Sequence, residues 1–184
     1  MGVALYGGAF DPPHLGHVAL ADAARGRFGV DRLVVLVSER PAHRAVRASA
    51  DDRLALARAA FPGDDVRLDP YPRTVELLRA ERFDDPVFVV GADQFRGFLG
   101  WSEPEEVLER ARIAVATRPG FPQAELDAVL AQLEGRDRVV CFEIEPNPGA
   151  STAVRARIAA GEPLDGLVPE AVARLIAERG LYRP

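Results

Sequence analysis

Lysine is absent from this 184-residue chain, so all 23 basic residues are arginine. A P-loop of the form G-x-x-x-x-G-K-[ST] is therefore excluded, and no G-x-G-x-x-G dinucleotide fingerprint follows the first apolar run. The one cysteine, Cys141, rules out an internal disulfide and a cysteine-based metal cluster. It is expected as a buried core thiol, and such sparing use of cysteine points to the cytoplasm. No apolar run approaches the roughly 20 residues of a membrane span. The opening residues, MGVALYGGAFDPPH, lack the basic and long apolar regions of a signal peptide. A basic excess is missing too: the net charge is -5, so a small-molecule partner is expected rather than nucleic acid.

What is present is globular. Hydrophobic residues make up 48% and charged residues 28%, a composition that argues against disorder and for one domain over 1–184. Short β-branched runs alternate with longer helical stretches. Strands are read at 3–6, 33–37, 66–68, 87–90, 113–116 and 139–142. Helices are read at 15–28, 49–60, 74–81, 104–111, 122–133, 151–160 and 169–179. Ser49 opens a cap-like S-A-D-D, Thr74 lies near an N-cap and Pro104 sits in a first turn. This alternation implies right-handed crossovers and an α/β, Rossmann-like, doubly wound parallel sheet with helices on both faces. The segment Pro146-Asn147-Pro148-Gly149 is the best break in the chain, with too little after it for a second domain. Ligands of such sheets sit beyond the carboxyl ends of the strands, so residues just after strands are the informative ones.

Gly7-Gly8-Ala9-Phe10-Asp11-Pro12-Pro13-His14-Leu15-Gly16-His17 leaves the first strand and opens the first helix. Gly7 and Gly8 let backbone N–H groups approach a phosphate, and the helix N-terminus behind them favours an anion. His14 and His17, three apart, share one face of the first turn and can donate to phosphate oxygens. Gly16 leaves room for a purine or ribose. Far along the chain, Ala150-Ser151-Thr152-Ala153-Val154-Arg155 precedes another helix. There Ser151 or Thr152 can cap the helix or meet an anion, and Arg155 offers a planar fork of donors.

The first segment resembles the H-x-G-H signature of the nucleotidyltransferase superfamily. Class I aminoacyl-tRNA synthetases share a related motif but are much longer, and their lysine-bearing second motif cannot exist here. The second segment resembles the superfamily's I-S-S-T-x-x-R element, with Gly149 and Ala150 replacing Ile and Ser. From Gly7 to the end the chain resembles the bacterial nicotinate mononucleotide adenylyltransferases. The further pieces are Val90-Gly91-Ala92-Asp93 followed by Trp101, Thr117-Arg118-Pro119-Gly120, Leu167-Val168-Pro169-Glu170-Ala171-Val172 and Arg179-Gly180-Leu181-Tyr182.

The resemblance implies transfer of AMP from ATP to nicotinate mononucleotide. His14, His17, Arg44 and Arg155 would be catalytic, and Gly7, Gly8, Ala9, Phe10, Gly16, Gly91, Asp93, Ser151 and Thr152 would hold ATP. Asp93 would meet the ribose hydroxyls, the other reading being a helix N-cap. Trp101 would stack on the pyridine ring, the other reading being core packing. Thr74 would help hold the nicotinate carboxylate, in a context changed to Pro72-Arg73. Pro41-Ala42-His43-Arg44 resembles a P-P-H-K element, with His43 and Arg47 assisting and Arg118 reaching the mononucleotide phosphate. Mg²⁺ would arrive with ATP, with no dedicated protein ligands. A homo-oligomer is compatible with the sequence. Two other readings stay open: another acceptor, such as nicotinamide mononucleotide or phosphopantetheine, and a catalytically silent nucleotide-binding module.

Overall fold

A computed structural model describes residues 2–41, 45–145 and 149–183. Its centre is a six-stranded sheet, entirely parallel, in the order β3-β2-β1-β4-β5-β6. The strands are β1 (Gly2–Gly8), β2 (Val30–Ser38), β3 (Asp65–Asp69), β4 (Val87–Gly91), β5 (Arg112–Thr117) and β6 (Val139–Glu143). The chain builds outward from β1 to β3, returns to the other side of β1, and builds outward again to β6. The ladder between β1 and β4 is short, pairing Ala4 with Val87, Leu5 with Phe88 and Tyr6 with Val89.

Strand side chains point to opposite faces in turn, and both faces are apolar here. Ala4, Tyr6, Val35, Val37, Val89 and Ala114 belong to one core. Leu5, Val34, Leu36, Phe88, Val90 and Ile113 belong to the other. Helices α1 (Leu15–Phe28), α2 (Ala50–Ala60), α7 (Ser151–Ala160) and α8 (Glu170–Arg179) cover the first face. Helices α3 (Thr74–Ala80), α4 (Ala92–Phe95), α5 (Pro104–Arg110) and α6 (Gln123–Leu130) cover the second. Double coverage explains the near-continuous apolar runs of β2 and β4, which alternation alone would not produce.

The expected doubly wound sheet is therefore present, with several local corrections. β1 and β2 run longer than their apolar cores, because Gly2 pairs with Val30 and Gly8 with Val37. The helix expected over 122–133 ends at Leu130, and its last residues form turns. The short α4 had no periodicity to reveal it. Ser49 is an N-cap, its Oγ accepting from the Asp52 N–H at 3.1 Å. Neither Ser151 nor Thr152 caps α7: Ala150 occupies the N-cap, and Ser151 is the first helical residue. Cys141 is half-buried rather than buried, because β6 is an edge strand. Residues 146–148 of the break segment lie outside the described residues. Among the described residues no helix is long and apolar enough to cross a membrane.

Candidate active site

The strand order reverses between β1 and β4, and a crevice opens there beyond the carboxyl ends of the strands, as expected for this topology. The cleft encloses about 1550 Å³, room for more than one nucleotide. Its wall includes Gly7, Gly8, Ala9, Phe10, His14, Gly16 and His17 from the β1–α1 turn. Gly91 and Asp93 come from the end of β4, Ser151, Thr152 and Arg155 from α7, and Thr74, Trp101 and Arg118 from the far side. Apart from Arg47, which is exposed and does not line the cleft, every described residue given a catalytic or binding role from the sequence thus reaches one space. His43 and Arg44 lie outside the described residues.

The two histidines form a stacked pair, with ring centroids 3.7 Å apart and planes 32° from parallel. His14 is the N-cap of α1. Its backbone N–H donates to Nδ1 of His17 at 3.1 Å. An accepting Nδ1 places the proton of the neutral ring on Nε2, so His17 offers an N–H donor there. The His17 ring lies 5.1 Å from that of Phe10. Phe10 is buried and holds a left-handed backbone, φ 50°, uncommon for a residue with a side chain. Its ring occupies space that a Cβ at Gly8 would enter at 3.0 Å. Phe10 therefore supports the pair from below and leaves mainly backbone for a ligand.

Nδ1 of His14 is buried and has no hydrogen-bond partner. Burial first, and then the positive Arg118 guanidinium, push the His14 pKa down to about 4. The ring is neutral at pH 7 and can donate only one N–H. A Cβ on Gly16 would come within 2.9 Å of that orphaned Nδ1, so glycine here keeps the His14 ring where it is.

Across the turn, Ser151 Oγ donates to the Pro12 carbonyl at 2.9 Å and Arg155 Nη1 donates to the Asp11 carbonyl at 2.6 Å. Both α7 side chains are thus bolted to the β1–α1 turn. The start of α7 is thereby tied to the turn that opens α1, and both lie on the cleft wall.

Asp11 and Arg53 organise the turn from beneath. The Asp11 carboxylate, 4% exposed, accepts from Arg47 N–H at 2.7 Å, Ala48 N–H at 3.0 Å and the Tyr182 hydroxyl at 2.9 Å. Those donors leave it poorly suited to bind a metal ion. Arg53, 1% exposed, donates to the carbonyls of Ala9 (2.9 Å), Ser38 (2.7 Å), Glu39 (3.1 Å) and Ala48 (3.3 Å). It ties the ends of β1 and β2 together. Sequence reasoning missed both residues: an Asp in a turn and an Arg in a helix carry no local sign of burial.

On the far wall, Trp101 packs its ring against Phe98 and Phe88, centroids 5.1 and 6.1 Å away, and is half-buried. Packing and exposure to the cleft are thus both realised. Thr74 opens α3, with Arg73 at the N-cap. Asp93 is not an N-cap, since Gly91 holds that position. Its exposed carboxylate faces Arg118 at 3.5 Å. Among the described residues no group of three His, Cys, Asp or Glu is placed to hold a metal ion.

A cytidylyltransferase-like family model matches residues 5–157. A Rubrobacter xylanophilus protein named "Probable nicotinate-nucleotide adenylyltransferase" is 35% identical, over 100% of this chain and 92% of its own length. A Bordetella avium protein of the same name is 37% identical, over 99% and 98%. The fold matches Plasmodium falciparum nicotinic acid mononucleotide adenylyltransferase complexed with NaAD. There the TM-score is 0.76 over 98% of this chain and 97% of that one, at 14% identity.

Proposed function

The chain belongs to the nicotinate-nucleotide adenylyltransferase family, within the cytidylyltransferase-like group, and we propose that it transfers AMP from Mg·ATP to the 5′-phosphate of nicotinate mononucleotide. The observation that carries this reading is the stacked His14–His17 pair beside the N-terminus of α7, in a cleft that also presents Trp101.

An oxygen of the acceptor phosphate attacks the α-phosphorus of ATP in line. The bond to the β-phosphate oxygen breaks and pyrophosphate leaves, so the products are nicotinate adenine dinucleotide and pyrophosphate. The attacking phosphate is already anionic, and no general base or covalent enzyme intermediate is needed. Rate enhancement comes from positioning and from donors aimed at the growing negative charge. His17 donates through Nε2 to the phosphate at which substitution occurs. His14 donates its single N–H beside it, and its ring gains a proton more readily once a triphosphate is near. Ser151, Thr152 and Arg155 meet the outer phosphates with the N-terminus of α7, and Arg44 adds a further cation. Gly7, Gly8, Ala9 and Phe10 supply backbone N–H groups, and Gly16 gives the nucleoside clearance. Asp93 accepts from the ribose hydroxyls, which requires it to share or leave Arg118. Trp101 stacks on the pyridine ring, Thr74 meets its carboxylate, and Arg118 reaches the mononucleotide phosphate, with His43 assigned to assist. Mg²⁺ is part of the substrate here, its ligands being phosphate oxygens and water.

The test is pyrophosphate release from Mg·ATP with nicotinate mononucleotide, nicotinamide mononucleotide or phosphopantetheine as acceptor. Strong preference for the first is expected. Equal or better release with another acceptor overturns the acceptor assignment, and ATP binding without release overturns the catalytic one. His17→Ala is expected to lose at least about a hundredfold in turnover with its circular dichroism unchanged; near-full activity removes its role.

A further inference from the structure

The carboxylate of Asp11 is nearly buried, yet three segments remote in sequence meet it. They are the backbone at Arg47 and Ala48, Arg155 of α7, and Tyr182 near the carboxyl end. Tyr182 lies 171 positions from Asp11, and its hydroxyl donates to Oδ1 at 2.9 Å. α8 lies along α2, and the Arg179–Asp52 ion pair, at 2.8 Å, fastens it there. The chain then turns at Gly180 and points Tyr182 back toward the cleft floor. Tyr182 holds a left-handed backbone, φ 63°, which is costly for a bulky residue. Its aim is therefore held against a local preference, and what it aims at is a single carboxylate oxygen.

Arg155 is the other party. Its Nη1 donates to the Asp11 carbonyl at 2.6 Å and stands 3.7 Å from Oδ2 of the same residue. We propose that Tyr182 is a positioning residue for adenylyl transfer, holding the Asp11 carboxylate so that Arg155 keeps its bond to the Asp11 carbonyl and its place on the cleft wall rather than closing further onto the carboxylate. The inference rests on the adenylyltransferase reading above. Without the hydroxyl, Oδ1 keeps only the Ala48 N–H. The carboxylate, less firmly held, can then turn toward the guanidinium that stands 3.7 Å from Oδ2, and a charge-assisted bond between them is strong. The same loss loosens the backbone at Arg47 and Ala48, whose N–H groups donate to the same carboxylate.

The experiment compares wild type, Tyr182→Phe, Arg155→Lys and the double variant in steady-state pyrophosphate release. Rates are referred to the folded fraction from circular dichroism. Phenylalanine keeps the ring against the core and removes only the donor. Arg155 acts on charge that grows as pyrophosphate departs, so Tyr182→Phe is expected to lower kcat about tenfold while KM for ATP stays within about twofold. In the Arg155→Lys background the same substitution is expected to change kcat less than about twofold, because the two act through one contact. A Tyr182→Phe enzyme with unchanged kcat and a lowered melting temperature overturns the inference, and so do fully additive losses. A wild-type chain that releases no pyrophosphate overturns the underlying reading and the inference with it. An active wild type beside an unimpaired Tyr182→Phe removes the inference alone.

Discussion

Gly16 and His14 set opposite demands on one position. Gly→Ala at an ordinary helical backbone stabilises by about 0.4–1 kcal/mol through the unfolded chain. At Gly16 the new methyl would press on the His14 ring at 2.9 Å. Gly16→Ala should therefore leave the melting temperature within a few degrees of wild type while turnover falls at least about tenfold, a displaced catalytic group being costly. His14 itself makes a pH signature. Its folded pKa is about 4 against 6.5 unfolded, so between those values the unfolded chain binds the proton better. Stability should rise with pH across that window and flatten above it. Urea midpoints at several pH values measure this, and His14→Asn should reduce the slope. The histidine pair was legible in the sequence because a spacing of three is a local fact. Asp11 and Tyr182 were not: their meeting depends on the path of the whole chain between them.

Among the elements, the strands were easiest to read, since burial on both faces leaves continuous apolar runs in β2 and β4. Helix ends were harder. Ser49 caps α2 as its local S-A-D-D suggests, but Ser151 gives its hydroxyl to Pro12 and leaves the N-cap of α7 to Ala150. A tertiary acceptor outcompeted the local one. Helix α2 carries the least legible residue, Arg53, whose guanidinium sits inside the core side of an amphipathic pattern. Arg53→Met should cost at least about 3 kcal/mol, since buried carbonyls left unpaired cost about 1–3 kcal/mol each. Arg53→Lys should recover only part of this, because an ammonium cannot fork between the ends of β1 and β2. Chemical denaturation of the two variants measures both.

At the scale of the molecule, two three-stranded halves meet along the β1–β4 ladder, with a core on either face of the sheet. Leu5 lies fully buried at that junction and pairs with Phe88. Leu5→Ala should lower stability by about 2–5 kcal/mol in urea unfolding, as truncation of a packed core residue does. Doubly wound topology was legible from the alternation of element types alone. The position of the reversal was not, because nothing local marks β4 as the strand that crosses back to β1.

That reversal also has a mechanical consequence. The β1–α1 turn stands on one half of the sheet, while Gly91, Asp93 and Trp101 follow β4 on the other. On the proposed assignment ATP touches both, the first through its phosphates and the second through its ribose. A bound nucleotide would then act as a cross-brace over the shortest ladder of the sheet, and amide hydrogen exchange at the ends of β1 and β4 should slow together when Mg·ATP is added.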